Sequence, residues 1–274
     1  SIWVGDSLLA RPRHEPLTLL AAVAGRVPGV EIGTAVLLPA LRNPVVLAHQ
    51  VATLDQICEG RFILGVGIAA DRPNIRAEFE AAGVPFDKRV GRMMEGLRLM
   101  RALWTGEAVD WDGRWRVEKG VLAPVPHRVG GPPIWIGGNR AASLERAGKH
   151  FDGWFPNAPD PASYARLWGE IRAAATAAGR DPEAMTGAMY LTVALDEDTD
   201  RAEARMNAYM EGYYGQPAAV VRARQICYAG PESGFAAFLD GYARAGATHL
   251  MLRFAGDHAA QMDAAARARR ALGW

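Results

Sequence analysis

Residues Ile32 to Gly67 read IGTAVLLPALRNPVVLAHQVATLDQICEGRFILGVG. The apolar, β-branched run Ile32 to Leu38 stops at Pro39. Asn43-Pro44 then opens a helical stretch in which Val45, Ala48, His49, Val51, Ala52 and Leu54 recur at helical spacing. Gly60 ends that helix, and a second apolar run, Phe62 to Val66, leads into Gly67. A strand, a helix and a strand, with both strands apolar on both faces, make a βαβ unit in a parallel sheet covered by helices.

The same alternation extends in both directions. Ile2 to Gly5 reads as a short strand and Pro16 to Arg26 as an amphipathic helix. Downstream, a short helix is expected around Ile75 to Ala82 and a long one from Asp87 to about Trp104. Asp112-Gly113 turns a small surface hairpin between Asp110 and Val121. Further strands are expected to start at Ile134, Gly153, Ala188 and His249. Helices are expected over Ala141–Lys149, Pro161–Ala178, Thr199–Tyr214, Pro217–Tyr228, Gly234–Ala245 and Asp257–Leu272.

This gives seven main-sheet strands alternating with helices, one short of a (β/α)8 TIM barrel. The chain opens directly on a strand, so the barrel's first strand and helix are expected to precede Ser1. An open doubly wound sheet is the rival. It usually places its phosphate-binding glycines after the first strand, whereas here they follow later ones. A single barrel domain over 1–274 is expected, with a hairpin excursion near 110–123 and a helical excursion near 199–228.

With 274 residues, 50% hydrophobic, and a formal net charge of +1, the chain has ample material for a core. Its charge gives no electrostatic reason to expect nucleic acid or an anionic membrane as partner. The apolar runs fall well short of the ~18 residues that span a bilayer, and Ser1-Ile2-Trp3-Val4 reads as a strand, not a secretion signal. Cys58 and Cys227 fall in separate predicted helices. Neither a disulfide framework nor a metal site is therefore expected, and a reducing cytoplasm fits. His127, His150 and His258 have no metal-ligand spacing to carboxylates.

The ordered set Ser1-Ile2-Trp3-Val4-Gly5-Asp6, Gly33-Thr34-Ala35-Val36-Leu37-Leu38-Pro39, Asn43-Pro44, Gln50 with Thr53-Leu54-Asp55 and Gly60-Arg61 continues with Leu64-Gly65-Val66-Gly67, Glu78-Phe79 and Gly83-Val84-Pro85-Phe86. It then runs through Arg89, Glu95, Leu103-Trp104, Pro133-Ile134-Trp135-Ile136-Gly137-Gly138 and Asp152-Gly153-Trp154. Taken together, this set resembles the luciferase-like family of flavin- and deazaflavin-dependent oxidoreductases over nearly the whole chain. The resemblance implies a TIM barrel with FMN or coenzyme F420 at the C-terminal strand ends. It implies a non-proline cis peptide at Ala35-Val36, with Leu37 beside it behind the cofactor ring. Gly67, Ile68 and Ala69 would lie near the ring and ribityl chain, and Gly137, Gly138, Asn139 and Arg140 would take the phosphate on backbone N–H groups. Two departures stand out. Many deazaflavin-dependent members carry histidine where this chain has Ser7. Some dehydrogenase members carry an acid where it has Ala70, which argues against that branch's sugar-phosphate chemistry.

Each candidate also has a plainer reading. Asp6 is a catalytic candidate at a strand end, or a loop anchor. Ser7 would bond the cofactor edge, or cap a turn. His14 has the right chemistry for acid–base work near neutral pH but stands alone. Arg11, Arg13 and Arg253 are substrate-binding candidates, or solvated charges. His49 reads as a packing residue. Tyr209, Tyr213 and Tyr214 would line an apolar pocket or simply pack.

The expected function is oxidoreduction of a small organic substrate. Monooxygenation with reduced FMN and O2 comes first and hydride transfer with F420 is the alternative. A flavin reductase partner and a homodimer complete the expectation, and a non-catalytic flavin-binding paralogue is the reading from another class.

Overall fold

The computed structural model describes residues 1–274. The chain divides into two compact units, Ser1–Ile136 and Gly137–Trp274.

In the first unit the elements are β1 (Ile2–Val4), α1 (Pro16–Arg26), β2 (Ile32–Thr34), α2 (Pro44–Ile57), β3 (Phe62–Val66), α3 (Pro73–Ala81), α4 (Arg89–Leu103), the hairpin β4 (Val109–Asp112) and β5 (Arg116–Gly120), and β6 (Ile134–Ile136). The main strands pair in parallel in the order β1-β2-β3-β6, and β4-β5 stands apart as an antiparallel pair. β2, β3 and β6 are buried along their whole length, which is why they read as unbroken apolar runs.

Helix α2 starts where the sequence places it. The Asn43 side chain accepts from Val45 N at 2.9 Å and Val46 N at 3.4 Å, and Pro44 occupies the first turn. Inside the unit, the Trp3 and Trp135 rings stack at 5.4 Å. Trp3 lies flat over Gly33, where an added Cβ would fall 2.2 Å from the indole. A strand glycine here is what lets a large ring cross its neighbour.

The second unit contains α5 (Ala141–His150), β7 (Gly153–Trp154), α6 (Pro161–Ala177), β8 (Thr186–Leu195), α7 (Thr199–Tyr214), α8 (Ala218–Arg222), β9 (Cys227–Gly230), α9 (Glu232–Arg244), β10 (His249–Phe254) and α10 (His258–Ala271). β8 is the hub, pairing in parallel with β7, β9 and β10. Asp160, Asp198 and Asp257 cap α6, α7 and α10 with their carboxylates. Helices α5 and α6 cross closely at Gly148, where a Cβ would meet Ile171 O at 2.4 Å.

The seven expected strands are all present, each paired in parallel within its own unit, with helical connections between them. The expected hairpin is present too. β1 has β2 as its only strand partner, and β10 has β8. No helix is long and apolar enough to cross a membrane.

Three expectations need correction. The helix expected over Pro217–Tyr228 ends at Arg222, and Cys227 to Gly230 form an eighth parallel strand against β8, so Cys227 lies in a strand. Cys58 sits at the C-cap of α2. His49, expected to pack, is exposed on α2.

Candidate functional site

At the end of β1, Asp6 is buried, with 2% of its side chain exposed. Its Oδ2 accepts from Leu38 N at 3.0 Å and from Arg42 Nη1 at 2.5 Å, while Oδ1 accepts from Arg42 Nη2 at 3.0 Å. Arg42 also reaches Glu15 at 3.2 Å. Asp6 N donates to Val36 O at 3.1 Å, and Arg13 Nη1 donates to Asp6 O at 3.0 Å. The ion pair is thus a bidentate clamp between the β1 loop and the chain after β2. It commits both carboxylate oxygens, which is the anchor reading of Asp6. Arg42 carried no sequence signal.

Ser7 faces a different partner. Its hydroxyl donates to Glu78 Oε1 at 3.0 Å and accepts from Arg11 N at 2.9 Å. The backbone N–H groups of Leu8, Leu9 and Ala10 converge on the same Glu78 oxygen, those of Leu9 and Ala10 at 2.8 and 3.3 Å. Glu78 is 1% exposed and its Oε2 has no partner. Helix α3 therefore projects a carboxylate that gathers the loop after β1, including Leu8 and Leu9, which are 51% and 71% exposed. In the sequence Glu78 stood out only as half of a motif. His14 is exposed at the far end of this loop.

Replacing Glu78 with alanine leaves three backbone donors without their acceptor, each a loss of about 1 kcal/mol or more. Chymotryptic cleavage after Leu8 or Leu9 should then rise about tenfold or more, since opening tracks the local free energy. An unchanged cleavage rate would show that the loop is held by something else.

The Ala35-Val36 peptide is cis, at the expected position. Leu37 N donates to Gly65 O at 2.8 Å and Gly67 N to Leu37 O at 2.9 Å, joining the ends of β2 and β3. Gly67 lies against Val36, with an added Cβ only 2.6 Å from Val36 Cγ2. Ala69 has a left-handed φ of 63°, an uncommon state for alanine. The turn is pinned by Arg89, whose Nε donates to Ile68 O at 2.9 Å while its guanidinium lies 3.7 Å over the Phe86 ring.

In the second unit, Gly137 to Arg140 form the turn that opens α5. Gly138 has φ 106°, a region that favours glycine. Its carbonyl accepts from Trp154 Nε1 at 2.7 Å, so a buried indole fixes the turn's orientation. No side chain caps α5, and residues 138–142 are exposed. The first free N–H groups of the helix are therefore presented outward, the arrangement that binds anions.

Arg253, near the end of β10, collects neighbours from several elements. Nη2 donates to Thr192 Oγ1 at 2.8 Å and Gln225 Oε1 at 3.0 Å, and Nη1 donates to Tyr214 OH at 2.9 Å. The rings of Tyr190, Tyr209, Tyr213 and Tyr214 lie 5.3 to 5.5 Å from its guanidinium carbon. Tyr190, Thr192 and Gln225 carried no sequence signal: strand register brings the first two here, and the turn between α8 and β9 brings Gln225.

A parallel chain with helical crossovers, and with its polar side chains and exposed glycine turn at strand ends, has the build of a (β/α)-barrel enzyme. The family description luciferase-like monooxygenase matches residues 1–271, and the chain belongs to that family. A phthiodiolone/phenolphthiodiolone dimycocerosates ketoreductase from Mycobacterium sp. (strain JLS) is 33% identical over 207 residues, 73% of this chain and 53% of that protein. An F420-dependent glucose-6-phosphate dehydrogenase from Mycolicibacterium smegmatis is 33% identical over 195 residues, 69% of this chain and 57% of that protein. The chain thus spans little more than half the length of these curated relatives. Among solved structures, an F420-dependent secondary alcohol dehydrogenase in complex with an F420-acetone adduct aligns with TM-score 0.82 at 20% identity, covering 96% of this chain and 87% of that one. This likeness shows the fold, the TIM barrel of the luciferase-like proteins.

Proposed function

We propose that the chain is the barrel of an oxidoreductase that binds a flavin-type cofactor, with F420 as the leading candidate, and acts on a small organic substrate. The observation that carries the reading is the uncapped, exposed start of α5 behind Gly138, held in orientation by Trp154. These residues fit a cofactor phosphate: free N–H groups, a helix dipole and Arg140 supply the charge, and Gly138 adds no side chain to the turn. In unit one, the half-buried Val36 and Ile68 present apolar surface beside the Ala35-Val36 cis peptide. F420 or FMN, when bound, supplies the redox chemistry, and the protein supplies binding and orientation.

F420 leads because one of the relatives at 33% identity is named as F420-dependent. A specific observation favours FMN as the second reading. Ser7 stands where many deazaflavin-dependent members carry histidine, and its hydroxyl is committed to Glu78. The FMN reading brings with it monooxygenation with O2 and a partner flavin reductase. A homodimer in the cytoplasm belongs to either proposal, and Asp6, Ser7 and His14 remain the catalytic candidates.

Separate titrations of the protein with FMN and F420 test the reading. Saturable binding of F420 at least about tenfold tighter than FMN, a gap of about 1.4 kcal/mol, is expected. The reverse order establishes the second reading, and binding of neither removes both.

A further inference from the structure

The surroundings of Arg253 carry an implication for the substrate. Gly187 of β8 is backed by α6, because an added Cβ would meet Tyr164 OH at 2.7 Å and the Trp168 ring at 3.1 Å. Odd-numbered residues of β8 therefore face the helix layer. Tyr190 and Thr192 face the opposite side of the sheet, since side chains alternate along a strand. Arg253 is the register partner of Thr192 and shares that face. It stands one residue from the C-terminal end of β10, the end at which barrel enzymes bind their substrates.

The guanidinium there has no counter-charge. It forms no ion pair, and its three hydrogen bonds go to two hydroxyls and one amide oxygen. Its Nε has no partner and is shielded from water. The neighbouring Tyr209 phenol is pushed up to about 12 by burial, so it is neutral at physiological pH and supplies no negative charge. Holding a cation away from water without an anion is costly, and the tyrosine faces offset that only in part. Arg253 and all four tyrosines are nevertheless partly exposed, so the cluster has a solvent-facing side. Tyr209 and Tyr213 stack at 5.6 Å with planes 12° apart, giving a flat aromatic wall beside the charge.

We infer that this cluster is a substrate subsite for the anionic group of an organic acid with a flat apolar body, carried as a carboxylate or a phosphate ester. The inference deepens the oxidoreductase reading and rests on it for the word substrate, but binding of the anion does not depend on the cofactor. The guanidinium keeps one N–H on Nη1 and the N–H of Nε uncommitted, and the tyrosine rings supply the apolar contact.

The test is calorimetric titration of the cofactor-free chain with benzoate, phenyl phosphate and the neutral benzamide. At least one anion should saturate, with benzamide about tenfold weaker or more. Arg253→Met should abolish that discrimination. If Arg253→Met does not fold, Arg253→Lys keeps the charge but loses the fork, and it should weaken the preferred anion severalfold. Whichever of benzoate and phenyl phosphate binds tighter identifies the anionic group. The inference is overturned if neither anion saturates, if benzamide binds as well as the anions, or if the arginine variants bind them unchanged. Such a result would leave Arg253 as a structural pillar whose loss lowers only the melting temperature. Because no cofactor is present, failure here leaves the FMN and F420 titrations standing, and failure there leaves this result standing.

Discussion

Gly138→Val should weaken cofactor binding by about tenfold or more per folded molecule while the barrel still folds. The first effect follows from position. A branched side chain on the exposed turn intrudes where backbone N–H groups would meet the phosphate, and an ion–dipole contact with its hydrogen bonds is lost. A second effect accompanies it. At φ 106° any side chain is strained, and the Cβ would also sit 3.4 Å from Ser143. A left-handed residue costs about 1–2 kcal/mol, which lowers the melting temperature of a chain this size by a few degrees. Gly138→Ala separates the two, since it carries the strain with less bulk. If both variants lose thermal stability and neither changes affinity for FMN or F420, the glycines serve only the strand-to-helix turn.

Asp6→Ala should destabilise the chain by about 3–5 kcal/mol, the usual result of stranding one member of a buried ion pair. Arg42 is the stranded member, with 16% of its side chain exposed, and its remaining contact with Glu15 is longer and wetter. The variant also removes the acceptor of Leu38 N. Arg42→Met should cost nearly as much, and the double variant far less than the sum, because the two residues share one interaction. Denaturant unfolding of the three variants measures this. A loss below about 1 kcal/mol for Asp6→Ala, together with a collapse in turnover, would favour the catalytic role of Asp6 over the anchor.

Much of the fold was legible because it follows local rules. α1 runs Pro16 to Arg26 as its spacing predicts, and Asn43-Pro44 opens α2 with the expected cap. The strand Cys227–Gly230 was not legible. Its four residues include no β-branched side chain, and the Ala218–Val221 run before it reads as helix, so only pairing with β8 makes it a strand. His49 was misplaced because helical spacing does not by itself say which face is covered. The site divides in the same way. The glycine turn and the Ala35-Val36 bond were located through motifs. The partners that decide what Asp6, Ser7 and Arg253 do lie 36, 71 and 61 residues away in sequence, for example Arg42, Glu78 and Thr192. Nothing local in a single sequence encodes those distances.

β8 is ten residues long and shares its length between neighbours. β7 pairs with it at Thr186 and Gly187, and β9 pairs with it from Thr192 to Leu195. The chain leaves the sheet after Leu195 and returns beside it, stitched by Asp196 N to Gly230 O at 3.0 Å and Thr192 N to Ile226 O at 3.4 Å. Three of the tyrosines around Arg253 ride on that detour, which also buries Met206, Met210 and Val221 in one cluster with Ala194 and Ala255. Doubling a loop between fixed ends adds only about 0.6 kcal/mol of closure entropy. The detour's length is therefore cheap to vary, but its apolar face is not, because that face fills one cluster with Ala194 and Ala255. Evolution or a protein engineer can vary its exposed turns, such as that at Gly215, while the buried face keeps the scaffold beneath covered.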